Sequence, residues 1–253
     1  MDSVSFHKPG YRLLAVLALA TAVAGCSATG GRVSEAQRTE AAGLHASAME
    51  ALERGDPEAA LDTLKQLHDE HPATPHGRRV LLEMAYTATL IGRHDDAMLW
   101  AGVFAEEAAD HGDEIEPADV EYALYLRGAA AHARWNESNS LPPDTALARR
   151  AFGYYRDLVV RYPEGERAAT ALRGMNELRG DMAAEELRMA RLRLKEGAYP
   201  EAAERAAWVA EQYRGGRHAA DALRVQIEAL EKMGRTRDAD ATRRMLEILF
   251  PDL

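Results

Sequence analysis

From Ser34 onward, apolar residues return every three or four positions, as Leu61, Leu64 and Leu67 in one stretch and Leu223, Ile227 and Leu230 in another. That spacing lays an apolar stripe along one face of an α-helix. No stretch alternates apolar and polar residues long enough to form a strand, so the chain reads as all-α. Together with its Gly and Pro punctuation, the pattern predicts helices near residues 34–54, 57–70, 76–91, 94–110, 117–134, 144–161, 166–196, 199–213, 217–233 and 236–249. The stretch 166–196 is long for a single helix, and a kink or break is expected within it at Gly174 or Gly180. An acidic loop from His111 to Pro117 and the segment Asn136 to Pro143 interrupt the series.

The punctuation is periodic. Gly55, Gly92, Gly197 and Gly234 are each followed five residues later by an alanine, namely Ala60, Ala97, Ala202 and Ala239. The first pair of glycines and the last pair are both 37 residues apart, and the gap of 105 between the pairs holds one further unit. Eleven residues after Ala60, Ala151, Ala202 and Ala239 stand His71, Tyr162, Tyr213 and Phe250, three of them followed by proline. Each marker has a mechanical reason. Glycine closes a helix in the left-handed conformation, alanine lets two helices approach closely, and proline cannot continue a helix. The period is that of tetratricopeptide repeats. The fold expected is a tetratricopeptide-like, right-handed α-solenoid of five helix hairpins over residues 34–253. Its N-terminal units occupy 34–110 and its C-terminal units 117–253, and the stacked hairpins form a concave surface for extended or helical partners.

Residues 1–25 differ in kind. Lys8 and Arg12 precede an apolar run from Leu13 to Val23, and Ala24-Gly25 then leads to Cys26, the only cysteine. The run is too short for a membrane span and has the layout of a secretory signal peptide. With cysteine at the expected mature N-terminus, it resembles the bacterial lipoprotein signal, which implies lipidation of Cys26. An ordinary signal peptide with a coincidental cysteine is the competing reading. In lipoprotein sorting the following residue matters, and Ser27 in place of Asp implies the outer membrane. Residues 26–33 are small and polar and form the expected tether.

Charge narrows the function. Without residues 1–25 the chain has 29 basic and 40 acidic residues, a formal charge of −11, which is poorly suited to nucleic acid. No nucleophile, phosphate-binding or metalloprotease motif is present, so no enzyme, cofactor or metal is expected. His68, His71 and His76 match no closed zinc pattern, and Asp113, Glu114, Glu116 and Asp119 lack calcium-loop spacing. Trp100, Trp135 and Trp208 read first as packing residues and second as partner anchors.

Three strings carry a more specific likeness: Glu121-Tyr122-Ala123-Leu124-Tyr125-Leu126-Arg127-Gly128; Ala151-Phe152 leading through Leu158 to Arg161-Tyr162-Pro163; and Leu178-Arg179 followed by Glu186-Leu187, Ala190 and Glu196-Gly197-Ala198-Tyr199. With the signal and the five units, they make the chain resemble the BamD family of outer-membrane β-barrel assembly lipoproteins, from about Ala41 to Pro251. The resemblance implies a non-enzymatic, lipid-anchored scaffold on the periplasmic face of the outer membrane. N-terminal repeats would meet unfolded outer-membrane proteins, and C-terminal repeats would contact the barrel-forming subunit beside other assembly lipoproteins. By position, Arg205 matches an arginine supporting that subunit contact, and Glu186 lies in the neighbouring helix. Arg205 also has a plainer reading as the ion-pair partner of Glu201 or Glu204. In the client groove the chain departs from the family's aromatics, placing His71, Pro75 and His76 there. An adaptor lipoprotein for cell-wall enzymes is the alternative.

Overall fold

The computed structural model describes residues 33–111, 115–138 and 145–252. The signal segment, Cys26 and nearly all of the tether lie outside the described residues, as do Asp113 and Glu114. Among the described residues ten helices follow one another: α1 (Glu35–Glu53), α2 (Pro57–Glu70), α3 (Pro75–Leu90), α4 (His94–His111), α5 (Pro117–Asn136), α6 (Thr145–Arg161), α7 (Ala168–Lys195), α8 (Tyr199–Gln212), α9 (Arg217–Lys232) and α10 (Thr236–Leu249). There is no strand among the described residues.

The helix ends follow from local chemistry. Ser34 and Gln37 cap each other's backbone at the start of α1, and the Asp56 and Thr74 side chains accept the N–H groups of Ala59 and Gly77. Gly55, Gly92, Gly197 and Gly234 all have φ between 71 and 79°. At each, the next residue donates to the carbonyl five positions earlier (Asp56 to Ala51, Arg93 to Ala88, Ala198 to Arg193, Arg235 to Leu230), every bond being 2.9 Å long. One turn therefore closes four of the five hairpins. The markers that end the second helices share a different junction. The N–H groups of His71, Tyr162 and Tyr213 bond the carbonyl four back, and their own carbonyls accept from Thr74, Gly165 and Gly216.

Packing follows the repeat. Ala60, Ala97, Ala151, Ala202 and Ala239 are all fully buried, as close helix approach requires. Each helix packs on the next in sequence. In addition, α1, α3, α5, α7 and α9 touch one another in succession, whereas no two even-numbered helices meet among the described residues. Closer spacing of the odd-numbered helices bends the stack, which places them on the inner face and the even-numbered helices on the outer one.

The long helix is continuous, so no break occurs at Gly174 or Gly180. Gly174 has a different purpose. The buried ring of Tyr155, on α6, lies between Gly128 of α5 and Gly174 of α7, where added Cβ atoms would stand 2.5 and 2.6 Å from it. Both glycines exist to admit that ring. With 28 residues α7 is roughly 42 Å long. Its first half, through Leu178, joins a core shared with α3 to α6, and its second half, from Ala183, joins a separate core shared with α8 and α9.

Candidate protein-binding surfaces

The inner face is held by polar links, one between each successive pair of odd-numbered helices. His45 Nε2 lies 3.0 Å from Glu83 Oε1 (α1 to α3), and Arg79 donates to Asp119 at 2.9 Å (α3 to α5). Trp135 Nε1 donates to Asp181 at 3.2 Å (α5 to α7), and Arg191 donates to Asp221 at 2.9 Å (α7 to α9). Asp119, read from sequence as part of an acidic loop, is thus an inter-repeat contact.

At the N-terminal end of this face, the predicted groove residues separate by environment. His71 is buried at the end of α2, with Glu40 Oε2 3.8 Å from its Nε2. Pro75 is exposed at the start of α3. His76 is half-buried, and its ring stacks on His45 at 4.4 Å. Burial, then the neighbouring His45, holds the His76 imidazole below its ordinary value.

The middle of the face carries a patch that sequence reasoning did not single out. Arg167, just before α7, sets its guanidinium 4.7 Å from the Tyr122 ring centre and 5.5 Å from that of Tyr125. Partly exposed Tyr86 lies beside Tyr122, whose hydroxyl is pushed up chiefly by burial. Arg167 is fixed there by its backbone N–H, which donates to buried Glu121 Oε1 at 2.6 Å. Gly165 leaves room for that carboxylate. Within the string 121–128, then, Glu121 anchors the turn before α7, Tyr122 and Tyr125 present rings, Arg127 stacks on Tyr154 at 4.3 Å, and Gly128 admits Tyr155.

The other nominated residues lie where α8 of the outer face meets α7, and they prove to be partners. Arg205 on α8 donates through Nη1 to Glu186 on α7 at 3.1 Å and through Nε to Glu201 at 3.3 Å. Pairing with Glu201, one turn away, is the plainer of the two sequence readings. The cross-helix bond to Glu186 was not foreseen. Trp208 is 45% exposed beside this pair and meets Tyr213 edge-on at 5.6 Å, whereas Trp100 and Trp135 pack partly buried against the core.

Such geometry defines a class before a family: a helical-repeat binding protein with an aromatic concave face and a charged outer edge. No helix among the described residues is long and apolar enough to cross a membrane. Residues 37–245 match the family model YfiO, described as outer membrane lipoprotein, and the chain belongs to that family. It is 28% identical to the outer membrane protein assembly factor BamD of Neisseria meningitidis serogroup A, over 95% of this chain and 91% of that protein. It is 26% identical to BamD of Xylella fastidiosa, over 98% of this chain and 85% of that one. Among solved structures it is similar to the TPR2AB domain of yeast Sti1 in complex with an HSP90 peptide, with 13% identity and a TM-score of 0.47 over 85% of this chain and 79% of that one.

Proposed function

We propose that this chain is a non-enzymatic assembly factor for β-barrel outer-membrane proteins, held through lipid on Cys26 at the periplasmic face of the outer membrane. The observation that carries the reading is the family match, which covers residues 37–245, nearly the whole solenoid, and owes nothing to the signal segment. In this reading the inner face receives unfolded clients. Pro75 and His76 line its first end with His71 beneath them, and the Tyr86, Tyr122, Tyr125 and Arg167 patch grips aromatic or acidic side chains further along. The outer edge around Arg205 and Glu186 meets the barrel-forming subunit, and other assembly lipoproteins dock on the remaining surface.

Depletion of the protein, followed by profiling of outer-membrane proteins, tests the reading. Loss of barrel proteins is expected. Normal barrels with altered cell shape would instead favour an adaptor for cell-wall enzymes. Cys26→Ser is expected to fold but to leave the membrane fraction, because two or more acyl chains are needed for lasting attachment.

A further inference from the structure

The long helix leaves a step at the boundary between its two cores. α8 has 14 residues against 28 in α7, so the turn joining α8 to α9 comes to rest beside the middle of α7. There Leu178 belongs to one core and Ala183 to the other. A cavity of about 650 Å³ fills the corner, with Arg179 and Gly180 of α7 on one side and Arg214, Gly215 and Arg217 of the turn on the other.

Residues 34–116 hold 6 basic and 18 acidic residues, whereas residues 117–253 hold 22 of each, so the cavity lies in the electrically balanced part of the chain. Several exposed arginines of that part meet no carboxylate among the described residues, and standing singly they are ordinary solvated charges. Here three converge. Arg179 and Arg214 make no ion pair among the described residues, and Arg217 Nε donates at 2.9 Å to its neighbour His218. Two carboxylates share the wall, Glu177 and Asp181, and Asp181 already accepts from the Trp135 indole at 3.2 Å.

Gly180 adds an independent sign. Glycine inside a helix costs stability and is kept where something must come close to its backbone. At Gly174 that something is the Tyr155 ring, but an added Cβ at Gly180 would meet nothing within 4 Å, so no group of the protein explains it. Gly43 and Gly153 share that freedom, and of the three Gly180 is the one that lines this cavity. A carboxylate brings one charge to three guanidinia. A phosphate monoester brings close to two charges and three acceptor oxygens, enough to engage all of them.

We propose that this cavity binds a phosphate monoester, either soluble or carried on a lipid headgroup. Arg179, Arg214 and Arg217 hold its oxygens, and it lies against the α7 backbone at Gly180. Bound there, it ties α7 to the turn between α8 and α9 and so fastens one core to the other. The site does not depend on the assembly reading.

The test uses the full-length lipidated chain in detergent micelles, titrated at constant ionic strength with inorganic phosphate, dihexanoyl phosphatidate or an oligoglutamate peptide. The indole N–H resonance of Trp135, which donates into the cavity wall, reports occupancy. Saturation by phosphate or by phosphatidate is expected, and the tighter of the two identifies the source. At about a hundredfold excess over Kd, Tm should rise by roughly 5–10 °C. Arg179→Gln with Arg217→Gln should weaken binding about tenfold or more without changing circular dichroism, since both side chains are exposed. Gly180→Ala should raise the Tm of the free chain, yet weaken phosphate binding about fivefold or more, because its methyl stands where the ligand lies. Equal resonance shifts from sodium chloride, tighter binding of oligoglutamate than of either phosphate, or undiminished binding by the double glutamine variant overturns the site. A Gly180→Ala chain that binds as tightly as its parent overturns the placement against α7.

Discussion

Replacing glycine by alanine inside a helix ordinarily stabilises it by about 1 kcal/mol, because alanine loses less backbone entropy. The structure predicts opposite signs for two such changes in this chain. At Gly43, inside α1, an added Cβ meets nothing within 4 Å, so Gly43→Ala should gain roughly 0.5–1 kcal/mol. At Gly128 the same methyl would stand 2.5 Å from Tyr155 Cδ1, well inside van der Waals contact. The ring has nowhere to go. Gly174 closes its other side, His132 stands edge-on at 6.1 Å, and Tyr125 lies at 6.4 Å. Overpacking of this kind costs about 3 kcal/mol at the upper end, which exceeds the helical gain and leaves Gly128→Ala destabilised by roughly 2 kcal/mol. Thermal unfolding followed by circular dichroism should show Tm lower by about 4–8 °C for Gly128→Ala and higher by about 1–4 °C for Gly43→Ala. Adding Tyr155→Leu to Gly128→Ala should cost less than the sum of the single changes, by about 1 kcal/mol, because the clash then has no ring. A rise in Tm for Gly128→Ala like that for Gly43→Ala would show that the wedge does not hold the three helices together.

Three further outcomes are expected. Glu121→Ala leaves the Arg167 N–H without its acceptor and should lower the urea midpoint by the equivalent of about 2–3 kcal/mol, whereas Glu121→Gln keeps an acceptor and should cost less. Because His76 is held below its ordinary value of 6.5, the folded chain binds its proton less readily than the unfolded one. Stability from this site is therefore intact above that value and is lost as pH falls through the folded one; with the ring only half-buried the effect is small, and His76→Gln should flatten the urea midpoint measured at about pH 7.5 and pH 5. Gly234→Ala meets no neighbour but forces a left-handed residue at φ 72°, so calorimetry should register a loss of about 1 kcal/mol from backbone strain alone.

The helices and their ends were legible because their causes are local. A glycine at 55, 92, 197 or 234 announces its own turn, and the alanines five residues on announce close packing within the same hairpin. Gly174 misled for the opposite reason. Read along the chain it resembles a helix breaker, and only Tyr155, nineteen residues earlier and on another helix, explains it. The candidate site divided in the same way. The bond from Arg205 to Glu201 spans one helical turn and could be anticipated, but its bond to Glu186 depends on how α7 and α8 lie against each other. The tyrosine–arginine patch escaped notice because Arg167 reaches Tyr122 only through a turn pinned to Glu121, 46 residues away. No spacing rule joins residues so far apart.

The span of α7 across two cores bears on how the chain is built at the ribosome. When Arg161 has emerged, three hairpins are complete in sequence, yet Tyr155 has a wall on one side only. Its second wall, Gly174, is synthesised thirteen residues later, and the core it belongs to ends at Leu178. The third hairpin therefore finishes folding only after the next unit has begun, and the boundary between the two cores falls inside a helix rather than in a loop. A shortened form meant to keep three sound hairpins has to run past Leu178, because one cut at Arg161 exposes the flank of Tyr155 it was meant to preserve.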